Sequence, residues 1–223
     1  MSALSSKIQR LNPSAKIPIY GYTTTSLLIW RSILKNNHGI SYNHILGNLE
    51  RGEDTWFVDA STSWGIGGCA GYRYFMVENE NLWQIFALYQ KCTHKNLMDI
   101  PLPRLPIAYI ELIAALAGIS VFSKYQQNKL IVLFTDNTDV VSWLRKGRCS
   151  AGLGFKLLAA IEFFKRKYRI KISVRHIPGI QNNSADALSR GSIPRWLISK
   201  GKRQDVNVHN LTALIRNPLE FWD

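Results

Sequence analysis

The spacing of hydrophobic and polar positions changes several times along the chain, and each change marks an element. After a polar, Pro-containing lead-in, Leu27, Leu28, Trp30, Ile33 and Leu34 recur at helical spacing, which predicts an amphipathic helix over Ser26 to Lys35. Asn36-Asn37-His38-Gly39 supplies its stop, and Gly47 to Asp54 reads as a polar connector, placing a domain boundary near Arg51. From Thr55 the pattern is that of strands: Trp56-Phe57-Val58 running into Asp59, a Gly-rich turn, a second segment around Gly67 to Val77 and a third around Leu82 to Tyr89. Three short consecutive strands predict an antiparallel meander. Lys91 to Pro106 reads as a loop, and Ile107 to Phe122 carries Ala and Leu at helical spacing. Lys129 to Thr135 is a continuous apolar and β-branched run, the mark of a strand buried on both faces. Helices are predicted over Thr138 to Lys146 and Leu153 to Lys167, then a strand over Ile170 to Ile177. A last helix follows the Pro178-Gly179 turn, with Ser184 as its N-cap. The order βββ-α-β-α-α-β predicts an α/β protein.

At 46% hydrophobic and 19% charged residues, the 223-residue chain has material for a buried core, which excludes overall disorder. No apolar run approaches the roughly 18 to 20 residues of a membrane span, and the amino terminus has no secretory pattern. Cys69, Cys92 and Cys149 form no CxxC pair and are odd in number, against a disulfide framework or a zinc site. The expectation is a soluble protein of a reducing intracellular compartment, cytoplasm or nucleus, with no membrane partner. Charge is more informative, because the net +13 is lopsided: residues 1 to 136 carry 12 basic and 9 acidic side chains, residues 137 to 223 carry 16 and 6. A positive field of that kind suits a phosphate backbone better than a merely solubilising surface.

Four acidic residues sit beside apolar structure rather than in polar loops: Asp59 and Asp136 at strand ends, Glu111 and Asp186 in the first turns of helices. Held together at one sheet edge, such groups repel, and a divalent cation resolves the conflict. Oxygen ligands without a Cys or His cluster favour magnesium or manganese. A pair of ions about 4 Å apart is the usual device for in-line displacement at phosphorus.

The segments around these residues are Phe57-Val58-Asp59-Ala60-Ser61 with Gly65-Ile66-Gly67-Gly68, Tyr109-Ile110-Glu111-Leu112, Phe134-Thr135-Asp136-Asn137, His176-Ile177-Pro178-Gly179 to Asn182, and Ala185-Asp186-Ala187-Leu188-Ser189-Arg190. Over Thr55 to Arg190 the chain resembles the ribonuclease H family, specifically the ribonuclease H domains of gypsy-type and tyrosine-recombinase-type retroelement reverse transcriptases. The last segment is the most specific.

The resemblance implies an RNase H-like fold over residues 51 to 191, with a mixed five-stranded sheet, three antiparallel strands then two parallel, flanked by helices. It leaves residues 1 to 50 as an N-terminal extension and 192 to 223 as a basic, aromatic tail. It further implies an endonuclease that cuts the RNA strand of RNA–DNA hybrids with two Mg2+ or Mn2+ ions held by Asp59, Glu111, Asp136 and Asp186. One ion would help generate and aim the attacking hydroxide, and the other would stabilise the leaving 3′ oxygen. The backbone from Ser61 to Gly68 and the side chains of Asn137, Asn182, Arg175, His176 and Arg190 are candidate hybrid contacts. The basic run Lys165, Arg166, Lys167, Arg169 and Lys171 is a candidate phosphate grip. His176 lies before the Pro178-Gly179 turn, so a hydrogen-bonded strand-end role outweighs that of a mobile catalytic histidine.

No Tyr-x-Asp-Asp polymerase motif is present, so the expectation is a nuclease fragment or a domesticated copy, alone or within a reverse transcriptase or larger nucleoprotein complex. Related four-carboxylate folds cut DNA, but Ala185 to Arg190 argues against that reading. A non-catalytic nucleic-acid-binding or assembly module would be marked by loss of a carboxylate, and all four are present.

Overall fold

The computed structural model describes residues 27, 28, 31, 50–93, 105–149 and 152–218, excluding the side chains of 50–53 and 90–93. Of the accessory helix predicted over Ser26 to Lys35, residues 27, 28 and 31 are helical, and the others lie outside the described residues.

Three antiparallel strands come first: β1 (Glu50–Ala60), β2 (Gly65–Ala70) and β3 (Arg73–Glu78). The segment expected as one strand over Gly67 to Val77 is a hairpin. Ala70 pairs with Arg73 across Gly71-Tyr72, and Gly71 takes φ 54°, the left-handed conformation that two-residue hairpin turns use. The third strand expected over Leu82 to Tyr89 is corrected too: a 3-10 turn (Asn79–Leu82) leads into α1 (Trp83–Thr93). Leu82, Ile85, Phe86 and Tyr89 stand three and four apart, a helical period, and the first three are buried.

The chain continues through α2 (Ile107–Phe122), β4 (Lys129–Thr135), α3 (Thr138–Lys146), α4 (Gly152–Lys167), β5 (Lys171–His176) and α5 (Asn183–Ser189). α6 (Arg195–Ile198), β6 (Lys202–Arg203) and α7 (Val208–Arg216) follow. The sheet is six-stranded in the order β5-β4-β1-β2-β3-β6, with β4 parallel to β1 and β5 parallel to β4. The expectation of five strands is corrected by β6, a two-residue edge strand parallel to β3, too short to show any alternation in sequence.

α2 lies on β1 and β2 with α3 and α4 packed on its other sides, so it is buried all round and has no polar stripe. Residues 107–125 are long and apolar enough to cross a bilayer by length and composition, which corrects the expectation that no run approaches that length. Here nearly all of that stretch is inside the protein. α7 buries Leu211, Leu214 and Ile215 in the same core. On the opposite face of the sheet, α5 and α6 cover a smaller cluster of Cys69, Tyr74, Met76, Leu188 and Leu197. Residues beyond Arg190 thus add a strand and two helices to this body, while Leu219, Phe221 and Trp222 lie outside the described residues.

Gly67 sets how closely α5 can approach. A Cβ there would come within 2.5 Å of the Leu188 and Ser189 backbone, so only glycine lets the helix rest on β2. Gly67 pairs with Asp59 in register, and this contact brings the end of α5 over the end of β1.

Candidate metal centre

Asp59 is the last residue but one of β1, Asp136 immediately follows β4, and Glu111 sits in the second turn of α2. β1 and β4 are parallel neighbours, so their carboxyl ends are adjacent, and α2 lowers Glu111 onto the same point from the core side. One carboxylate oxygen from each of Asp59, Glu111 and Asp136 lies within 4.8 Å of the others, a spacing that can hold a cation. Asp59 and Glu111 are buried at 4% and 3% exposure, whereas Asp136 opens toward solvent.

Burial and mutual repulsion set the electrostatics. Desolvation first, then Asp59 and Asp136, push the Glu111 carboxyl up to about 9, against the opposing effect of hydrogen bonds from the Ala60 amide and the Thr135 hydroxyl. Desolvation likewise pushes Asp59 up to about 6, with Asp136 and Asp186 adding to it, while a hydrogen bond from Ser189 and the charge of Arg190 oppose it. Glu111 Oε2 has no hydrogen-bond partner although it is buried. A buried carboxylate with an unpartnered oxygen, set beside two other acids, is costly without a cation. Oxygen-only donors of this kind fit a hard divalent ion such as magnesium or manganese.

Asp186, the fourth expected ligand, stands at the rim outside that group. Its Oδ1 accepts from Arg190 Nε at 2.7 Å. Ser189, to which the sequence reading gave no role, donates from Oγ to Asp59 Oδ2 at 2.5 Å and has Asp186 O as its other acceptor at 2.9 Å. Its signal was its place three residues after Asp186, one helical turn on.

The other expected contacts divide. His176 ends β5 opposite Thr135, with Nε2 3.1 Å from the Asp136 carbonyl oxygen, so it braces the main chain beside the acids. Arg175 is exposed one residue earlier on β5. Ser61 is buried in the β1–β2 turn, where its amide donates to Gly65 O and its Oγ bonds Ser63 Oγ. Asn137, an expected hybrid contact, is the N-cap of α3: Oδ1 accepts from the amides of Asp139 and Val140. Asn182, the other expected amide contact, is 1% exposed and donates from Nδ2 to Val58 O, where it ties the α5 entry to β1.

Lys165, Arg166 and Lys167 close α4, and Lys171 opens β5 opposite Leu130. That is the far end of the sheet from Asp136, roughly 20 Å away at the rise of a strand. Lys165 is also paired with Glu162, and Lys167 stands over the Phe163 and Tyr168 rings. The basic run therefore does not gather around the acids. Burial pushes the Cys69 thiol up to about 12, against thiolate chemistry at that residue.

Searches against protein-family models, curated proteins and solved structures find no match to this chain.

Proposed function

We propose that this protein is a metal-dependent endonuclease of the ribonuclease H type, cleaving the RNA strand of RNA–DNA hybrids. The observation that carries the reading is Glu111. A core helix holds a buried carboxylate with an unpartnered oxygen beside Asp59 and Asp136, at the junction between the antiparallel and parallel halves of the sheet. A purely structural site has no use for three acids whose charges oppose one another. The strand succession β3-β2-β1-β4-β5 supports an RNase H-like fold, and the Ala185 to Arg190 segment supports the retroelement type.

In this reading Asp59, Glu111 and Asp136 would hold a divalent ion, with Asp186 as the further expected ligand. Such ions supply activation of the attacking water and charge stabilisation at the leaving oxygen. The protein's own part is to fix the acids: Ser189 orients Asp59, the Ala60 amide and the Thr135 hydroxyl orient Glu111, and His176 braces the Asp136 main chain. Native partners are then hybrids recognised by shape and backbone, with little sequence preference.

The test is cleavage of end-labelled RNA–DNA hybrid, double-stranded RNA and double-stranded DNA with magnesium or with EDTA, beside Asp136→Asn. The expected result is cutting of hybrid RNA alone, lost on chelation and reduced at least about a hundredfold by the substitution, since an ion contributes several kcal/mol of charge stabilisation. Tight hybrid binding with no cutting would instead make the chain a binding module.

A further inference from the structure

We infer that Arg190 is a tethered counter-cation, holding Asp186 at the rim of the acid cluster until a divalent ion takes the place of its guanidinium. The inference rests on the metal-centre reading above and adds a device to it. Three observations carry it. Asp186 is the one expected ligand outside the three-carboxylate group, and its Oδ1 is taken by Arg190 Nε at 2.7 Å. The Arg190 side chain is 61% exposed and that of Asp186 is 42% exposed, so both can move without repacking the core. The charge of Arg190 also acts on Asp59, so its influence reaches the buried acids as well as its direct partner.

Local architecture makes the contact available. Arg190 caps α5, its amide donating to the Asp186 and Ala187 carbonyls, which puts its side chain one turn beyond Asp186 on the same helix face. The preceding residue, Ser189, is fully buried and bonded to Asp59, so the backbone from which Arg190 swings is anchored to the site. An exposed pair four residues apart is a weak contact, worth about a twofold change in an equilibrium. A divalent ion shared by several carboxylates overcomes it readily. With no ion bound, the guanidinium offsets part of the repulsion among four acids, and with an ion bound it is free to meet a phosphate of the substrate.

Arginine side-chain NMR on the full chain tests this, with the Arg190 Nε–Hε signal assigned through Arg190→Met. In EDTA that signal should show the shift of a carboxylate-bonded group. Saturating magnesium should abolish that shift while the Asp186 carboxyl carbon responds. In Arg190→Met, Asp186 should respond at about threefold lower magnesium, as expected when a weak competing pair is removed. An Arg190 signal that magnesium leaves unchanged, while Asp59 and Asp136 respond, would overturn the inference and leave the metal centre standing. The same holds if Asp186 responds at one concentration in both proteins. If no carboxyl responds at all, the metal-centre reading fails and takes the inference with it.

Discussion

Asp54 and Asp59 lie on one strand and meet opposite fates. At the entry of β1, Asp54 pairs with Lys129 Nζ at 3.0 Å across the parallel ladder to β4, both side chains about one third exposed. At the exit, Asp59 is buried and faces Glu111 and Asp136. Both belong to the β1–β4 pair, yet one end gives its acid a cation and water while the other withholds both. An acid that serves the fold is neutralised by its neighbours. Asp59, by contrast, is held in a state that the fold itself disfavours. The electrostatic strain is therefore concentrated at the carboxyl ends of β1 and β4.

The sharpest way to break this comparison is to follow stability against pH in EDTA. Folding raises the Glu111 carboxyl from 4.5 to about 9 and Asp59 from 3.8 to about 6, so the folded protein holds protons that the unfolded chain releases. Stability is then full below the unfolded values and is lost as pH rises, through about 6 for Asp59 and on to about 9 for Glu111. Between about pH 5 and about pH 8 the metal-free protein should lose on the order of a few kcal/mol in urea unfolding. Magnesium at the higher pH should restore it, and Glu111→Gln should flatten the slope. A flat profile for the parent protein would mean that the acids are not strained.

Ser189→Ala should have a smaller effect. The hydroxyl donates to Asp59 Oδ2 and so lowers its proton affinity. Loss of a hydrogen bond to a metal-holding carboxylate typically weakens metal affinity by about tenfold or more. Calorimetric titration with manganese should show that loss, and it should shrink as pH rises, because a Ser189 that positions Asp59 also sets the pH at which Asp59 gives up its proton. A loss equal at all pH values would reduce Ser189 to packing.

Much of this contrast was legible beforehand, and the limits have physical reasons. The four acids stood out because each interrupts an apolar pattern, and the long runs of α2 and β4 fixed their own elements. The β2–β3 hairpin was missed because its turn is only Gly71-Tyr72 and the flanking strands are nearly all buried, which erases alternation. α1 was read as a strand although Leu82, Ile85 and Phe86 already showed a helical period. Asn137 and Asn182 look alike in sequence to substrate-binding amides. Their roles as a helix cap and a β1 anchor depend on hydrogen bonds that appear only once the chain is folded. Sequence gives the charge of the basic run but not which end of the sheet holds it, so its distance from the acids is visible only in the fold.

The smallest expected effect is at the other end of the strand. Asp54→Asn removes a partly exposed ion pair, and such pairs contribute about 0.2 to 1 kcal/mol, less at high salt. Lys129 keeps access to water, so no buried charge is left stranded, unlike the outcome of removing a partner from a buried pair. Urea unfolding should therefore show a loss within that range that fades in salt, with manganese affinity and the EDTA pH slope as in the parent protein. A change in metal affinity from Asp54→Asn would show that the two ends of β1 are coupled, and the division between an end whose acid is neutralised and an end whose acids are left opposed would no longer stand.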